Sequence, residues 1–85
     1  MSSNRTQNLE LLTQTEDVAA TIKHALIEQD MQMWRNTRFQ AESRRRVYAR
    51  IGNAEAEAEQ IKMLQSCEAA IMELEEQLRE VPKDA

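Results

Sequence analysis

The feature that most constrains this chain is its scarcity of breakers: among 85 residues there is one Gly and one Pro. The Gly stands beside an Asn, so Gly52-Asn53 is the one pair of strong breakers ahead of Pro82, and it divides the chain into a long first arm and a shorter second arm. Gly accepts the left-handed conformation that ends a helix, and Asn accepts a hydrogen bond from the free N–H groups that open the next. The flanks hold Arg, Ala and Glu, which favour helix and lack the β-branched alternation of a strand hairpin. One Trp, one Tyr and one Phe supply little of the bulk that fills a globular core. The expected fold is all-α: a long antiparallel helical hairpin, coiled-coil-like, that dimerises into a helix bundle.

The second arm carries Leu64, Cys67, Ile71, Leu74, Leu78 and Val81 at alternating spacings of three and four. That is the stripe of a long amphipathic helix packed lengthwise on a partner, and Ala54, Ala58 and Ile61 are expected to extend it toward the turn. Pro82 ends it, because the residue before a proline is pushed out of the helical region. The first helix has a candidate start at Thr13, where Thr13 and Glu16 stand at the two ends of a capping box. At about 100° per residue, Ala19, Ile22, Leu26, Met33, Ala41, Val47, Tyr48 and Ile51 gather on one broad face, with Ile27, Met31 and Trp34 at or beyond its edge.

These signals give a domain scheme. Residues 1–12 form a flexible or partner-ordered segment, 13–81 the hairpin with helix 1 over about 13–51, turn 52–53 and helix 2 over about 54–81, and 82–85 a disordered tail. A turn at Gly52-Asn53 pairs residues whose numbers total about 105, since both arms rise equally per residue. The second arm then runs out opposite residue 24, leaving Leu9, Leu11, Leu12, Val18 and Ile22 without a partner in the hairpin. Two helices alone bury too little surface to offset the ordering of so many residues, at roughly 1–2 kcal/mol of backbone entropy each. Self-association is the expected remedy, with a two-fold dimer covering an outer edge of Ile27, Met31 and Trp34, and Met63 and Met72 as further candidates. The candidate protein interface is thus Leu9, Leu12, Val18, Ile22, Ile27, Met31 and Trp34.

Charge is segregated. Residues 35–50 hold Arg35, Arg38, Arg44, Arg45, Arg46 and Arg50 against the single acid Glu42, inside a chain of net charge −4. The register sets Arg50 by Glu55, Arg45 and Arg46 by Glu59, and Arg38 by Glu68, so internal pairing with the acidic second arm is the leading expectation. The competing one is nucleic-acid binding through Arg35, Arg38, Arg45, Arg46, Tyr48 and Arg50, with guanidinium groups on phosphates and aromatic rings on bases. Arginine in all six places suits planar paired contacts with carboxylate or phosphate equally.

No motif for catalysis stands out. His24 and Glu28 are one helical turn apart but have no second His or Glu-x-x-His repeat to complete a metal site. Cys67 sits in the seam, where a thiol is inert packing, and a lone Cys leaves no intramolecular disulfide. There is no Gly-rich phosphate loop. No catalytic, cofactor or metal residue is assigned, and no enzyme activity is expected. No run of about 18 apolar residues is present and residues 1–7 lack a signal peptide's apolar core, so no membrane association and a cytoplasmic location are expected. The function expected is that of a small helical interaction, assembly or adaptor protein, a homodimer with a further protein partner, and nucleic-acid binding is the alternative.

Overall fold

The computed structural model describes residues 18–82. Leu9, Leu11, Leu12, the capping box of Thr13 and Glu16, and the tail from residue 83 lie outside the described residues. Among the described residues there are two helices, α1, Ala20–Ile51, and α2, Ala54–Glu80, of 32 and 27 residues, packed against each other. Gly52 takes the left-handed conformation, φ 78° and ψ 19°, and is the one described residue with positive φ. The Gly52 N–H donates to the Ala49 carbonyl at 3.3 Å and the Asn53 N–H to the Tyr48 carbonyl at 2.9 Å, the two bonds of a Schellman cap. Asn53 Oδ1 then accepts from the Ala56 N–H at 3.1 Å and caps α2, whose first turn also holds Glu55 and Glu57 at the positive end of its dipole. At the other end Val81 is extended, ψ 125°, ahead of Pro82. The turn and the end of α2 stand where the breakers place them.

α1 starts at Ala20, after an extended Ala19 with ψ 144° and no side-chain cap. It does not run back continuously to residue 13. Its start falls about one turn beyond the point opposite Val81, where α2 ends. A helix stabilised mainly by packing stops near where its partner stops.

Which face of α1 turns inward is the main correction. Met31 and Ala41 are each 2% exposed, Ala20 is buried, and His24, Ile27, Trp34, Thr37, Arg45 and Tyr48 are half-buried. These residues follow one another by three or four. On the second arm a run of half-buried and buried positions, Glu57, Gln60, Leu64, Cys67, Ile71, Leu74, Leu78 and Val81, again follows by three and four, with Cys67 fully buried and Ala56, Ala70 and Gln77 half-buried beside it. The stretch from Leu64 to Val81 is the expected seam. Its continuation to the turn runs through Glu57 and Gln60; Ala54, Ala58 and Ile61 are exposed instead.

On α1, Ile22, Leu26, Met33, Val47 and Ile51, expected to face inward, are 53–66% exposed, while Met31, Ile27 and Trp34, expected on an outer edge, lie in the seam. The polar layers of α2 explain the choice. With Val47 and Ile51 turned inward, Glu57 and Gln60 would be buried against hydrocarbon; the inward face that α1 uses instead brings Arg45 to Glu57.

The seam carries the stability. Ile71→Ala is expected to cost about 2–4 kcal/mol and the adjacent Met72→Ala, whose side chain is 67% exposed, less than about 0.5 kcal/mol. Asn53→Ala and Gly52→Ala each lose about 1 kcal/mol, the first through the cap and the second through the left-handed backbone. Urea unfolding followed by far-ultraviolet circular dichroism distinguishes these values.

Candidate interaction site

α1 displays two surfaces, one apolar and one basic. The apolar surface is the stripe of Ile22, Leu26, Met33, Val47 and Ile51, about 130° around the helix from the seam at about 100° per residue. At its N-terminal end Val18, Lys23, Leu26 and Ile27 line a shallow apolar depression. Of the expected interface residues, Ile22 is exposed on this stripe, Val18 is half-buried beside it, and Ile27, Met31 and Trp34 face α2. Met31, at 2% exposure, offers no surface to a second molecule. A helical wheel groups Leu26, Met33, Val47 and Ile51 with core residues because it sorts apolar side chains without showing which group meets the partner helix.

The basic surface occupies the C-terminal half of α1. Arg45 is its one paired member: Nε donates to Glu42 Oε1 at 3.0 Å, Nη2 to Glu42 Oε2 at 2.8 Å, and Nη1 reaches across to Glu57 Oε2 at 3.3 Å. The hydrogen bond from Arg45 holds the Glu42 carboxyl below the usual carboxylate range; partial desolvation opposes this, and the charges of Arg45 and Arg46 add to it. Arg45 is correspondingly held more firmly in its charged form, first by the Glu42 hydrogen bond. The expected partners were different. Arg45 meets Glu57 and not Glu59, which pairs with Lys62 at 3.6 Å. Arg35, Arg38, Arg44, Arg46 and Arg50 make no ion pair with any described residue, so the internal neutralisation expected of the band is confined to Arg45.

Five guanidinium groups therefore remain available on one helix. Arg38, Arg44, Arg46 and Arg50 are exposed and Arg35 is half-buried. The aromatic residue among them is not the expected one: Trp34 and Tyr48 are half-buried toward α2, whereas Phe39 is 76% exposed. Phe39 lines an open groove of about 700 Å³ with Arg35, Arg38 and Glu42 on one side and Leu64 and Glu68 of α2 on the other. Its position one residue after Arg38 and seven before Arg46, off both apolar stripes, is the signal that could have singled it out.

The remaining titratable groups form no centre. Cys67 is a buried free thiol. His24 Nε2 is buried without a hydrogen-bond partner among the described residues, and no three His, Cys, Asp or Glu side chains there are grouped to hold a metal ion. No described helix is long and apolar enough to cross a membrane. Comparison with known families, with curated proteins and with solved structures finds no match to this chain.

The Arg45 contact has a titration signature. The stabilisation that ionised Glu42 contributes is complete above the ordinary carboxylate range and is lost as pH falls through its lowered value. A carboxyl-carbon NMR titration should find Glu42 titrating below the ordinary carboxylate range, and Arg45→Gln should return it to that range. Titration of Glu42 in the ordinary range while Arg45 is intact would contradict the bidentate contact.

Proposed function

We propose that this chain is a small non-enzymatic interaction module, an assembly or adaptor protein of the cytoplasm that acts through coiled-coil self-association and binding of a protein partner. The observation that carries the reading is the double apolar character of α1. The helix has an apolar stripe on each of two sides, α2 covers one, and Ile22, Leu26, Met33, Val47 and Ile51 on the other are more than half exposed. A stripe of large apolar side chains along a soluble helix is the usual mark of a contact surface. The reading also draws on the hairpin's thin core, with five hydrophobic residues buried among those described, which favours assembly over an independent monomer. The lone reduced thiol at Cys67 suits a reducing compartment.

Nucleic-acid binding is kept as a second reading because of one observation: five arginines without carboxylate partners flank an exposed Phe39. Guanidinium groups would contact phosphates and the ring would stack on a base, contributing about 1–3 kcal/mol per stacked base. Acidic residues oppose this, since Glu42 of α1 and Glu68 of α2 line the same groove.

Light scattering across protein concentration, at low and moderate salt, on material purified without nuclease and with its absorbance ratio recorded, separates the two. An oligomer free of nucleic acid is the expected result. Leu74→Glu, which charges the seam, should lose helicity and self-association together. Nucleic acid that co-purifies, dissociates as salt rises and is lost in Arg38→Ala and Phe39→Ala variants would move the function to the basic surface. A monomer at all concentrations that binds neither protein nor nucleic acid would remove both readings.

A further inference from the structure

The exposed stripe of α1 carries information about its own partner. Ile22, Leu26, Met33, Gln40, Val47 and Ile51 follow one another by four, seven, seven, seven and four, a spacing that reads the same in both directions. Its centre lies between Asn36 and Thr37. An identical helix laid antiparallel about that centre sets Ile22 opposite Ile51, Leu26 opposite Val47 and Met33 opposite Gln40, and each pair occurs twice. This is the condition a two-fold interface imposes, where residue i meets j and j meets i. The stripe is about 44 Å long at about 1.5 Å per residue, a length matched by another long helix and not by a compact domain.

Charge points the same way. Between Ile22 and Val47 the other residues that look outward with the stripe, Ala25, Gln29, Asn36, Ser43 and Arg44, are all exposed, and Arg44 is the one charge among them. In a chain that is 31% charged this is a depleted face. α2 shows the contrast, since its outward residues include Glu59, Lys62, Glu73, Glu76 and Glu80, all exposed as on a solvated surface. One border of the α1 stripe carries Asp30 and Arg44, both exposed and neither in an ion pair among the described residues. In the antiparallel arrangement, borders of the same side meet, and Asp30 of one copy comes level with Arg44 of the other, twice. A parallel pairing would instead bring opposite borders together and leave Asp30 and Arg44 about 21 Å apart along the axis at about 1.5 Å per residue, so this pair would be lost.

We infer that the partner of this stripe is a second copy of the chain: two hairpins join through an antiparallel α1–α1 contact centred between Asn36 and Thr37, with Asp30 and Arg44 paired across it. The inference rests on the self-association proposed above and adds its face, direction and register. It leaves α2 on the outside of the assembly, with its acidic face in solvent, and leaves the exposed Phe39 off the contact.

Cysteine cross-linking tests the register. Met33→Cys and Gln40→Cys chains mixed in equal amounts should form a disulfide between unlike chains, while each alone should not, since identical positions then lie about 10 Å apart along the axis at about 1.5 Å per residue. Cys67, fully buried, serves as an unreactive background that the unmodified chain controls. Charge reversal tests the border without touching the core. Asp30→Arg or Arg44→Asp alone should weaken the dimer on the order of tenfold by sedimentation equilibrium, and the double reversal should restore it. Leu26→Glu should weaken it on the order of a hundredfold or more, with helicity followed in parallel. A dimer in which Met33→Cys links to itself, or in which both reversals are neutral, overturns this geometry while the interaction module stands. A monomer at every concentration overturns this geometry together with the self-association it rests on.

Discussion

Two helices lying side by side share one line of contact, and everything else in this hairpin follows from how that line is filled. Each helix can present one stripe to the other. α2 has one apolar stripe to give, running from Leu64 through Ile71 to Val81, and toward the turn it becomes polar at Glu57 and Gln60. α1 has two. The stripe that goes inward is the one that suits the whole length of α2, apolar at Ile27, Met31 and Trp34 and basic at Arg45. The other apolar stripe, left outside, offers no counter-charge to Glu57.

The Arg45 cluster thus selects more than it stabilises. Its groups are partly exposed, and ion pairs in such a setting contribute little net stability. What the cluster supplies is orientation, because Arg45 is held by Glu42 on its own helix in a bidentate grip and extends its remaining nitrogen to Glu57. A guanidinium so oriented marks the inward side of α1 close to the turn. The Schellman cap at Gly52 and the Asn53 cap set the same alignment from the backbone side.

The outward apolar stripe and the five unpaired arginines both lie on α1. The arginines stay unpaired because the acids of α2 do not reach them: Glu59 meets Lys62 on its own helix, and Glu57 shares Arg45 with Glu42 of α1. Opposite net charges on the two arms do not by themselves make pairs. A pair needs side chains on facing borders at matching heights, and in this hairpin that condition is met once across the helices.

The class of the fold, the place of the turn, the end of α2 ahead of Pro82 and the seam from Leu64 to Val81 were all legible in the residues. Each depends on local chemistry: a left-handed Gly, a capping Asn, a proline, and a single apolar repeat with no rival on its helix. The start of α1 at Ala20, the inward face of α1, the pairing of Arg45 with Glu57 and the exposure of Phe39 were not. They depend on which of two stripes meets a distant segment, and a helical wheel drawn for one helix holds no term for the other. The sequence alone determined two helices and the point at which they reverse. Only the tertiary structure decided which side of the first helix the second would cover, because that choice turns on the polar layers the two helices share and not on the apolar content of either.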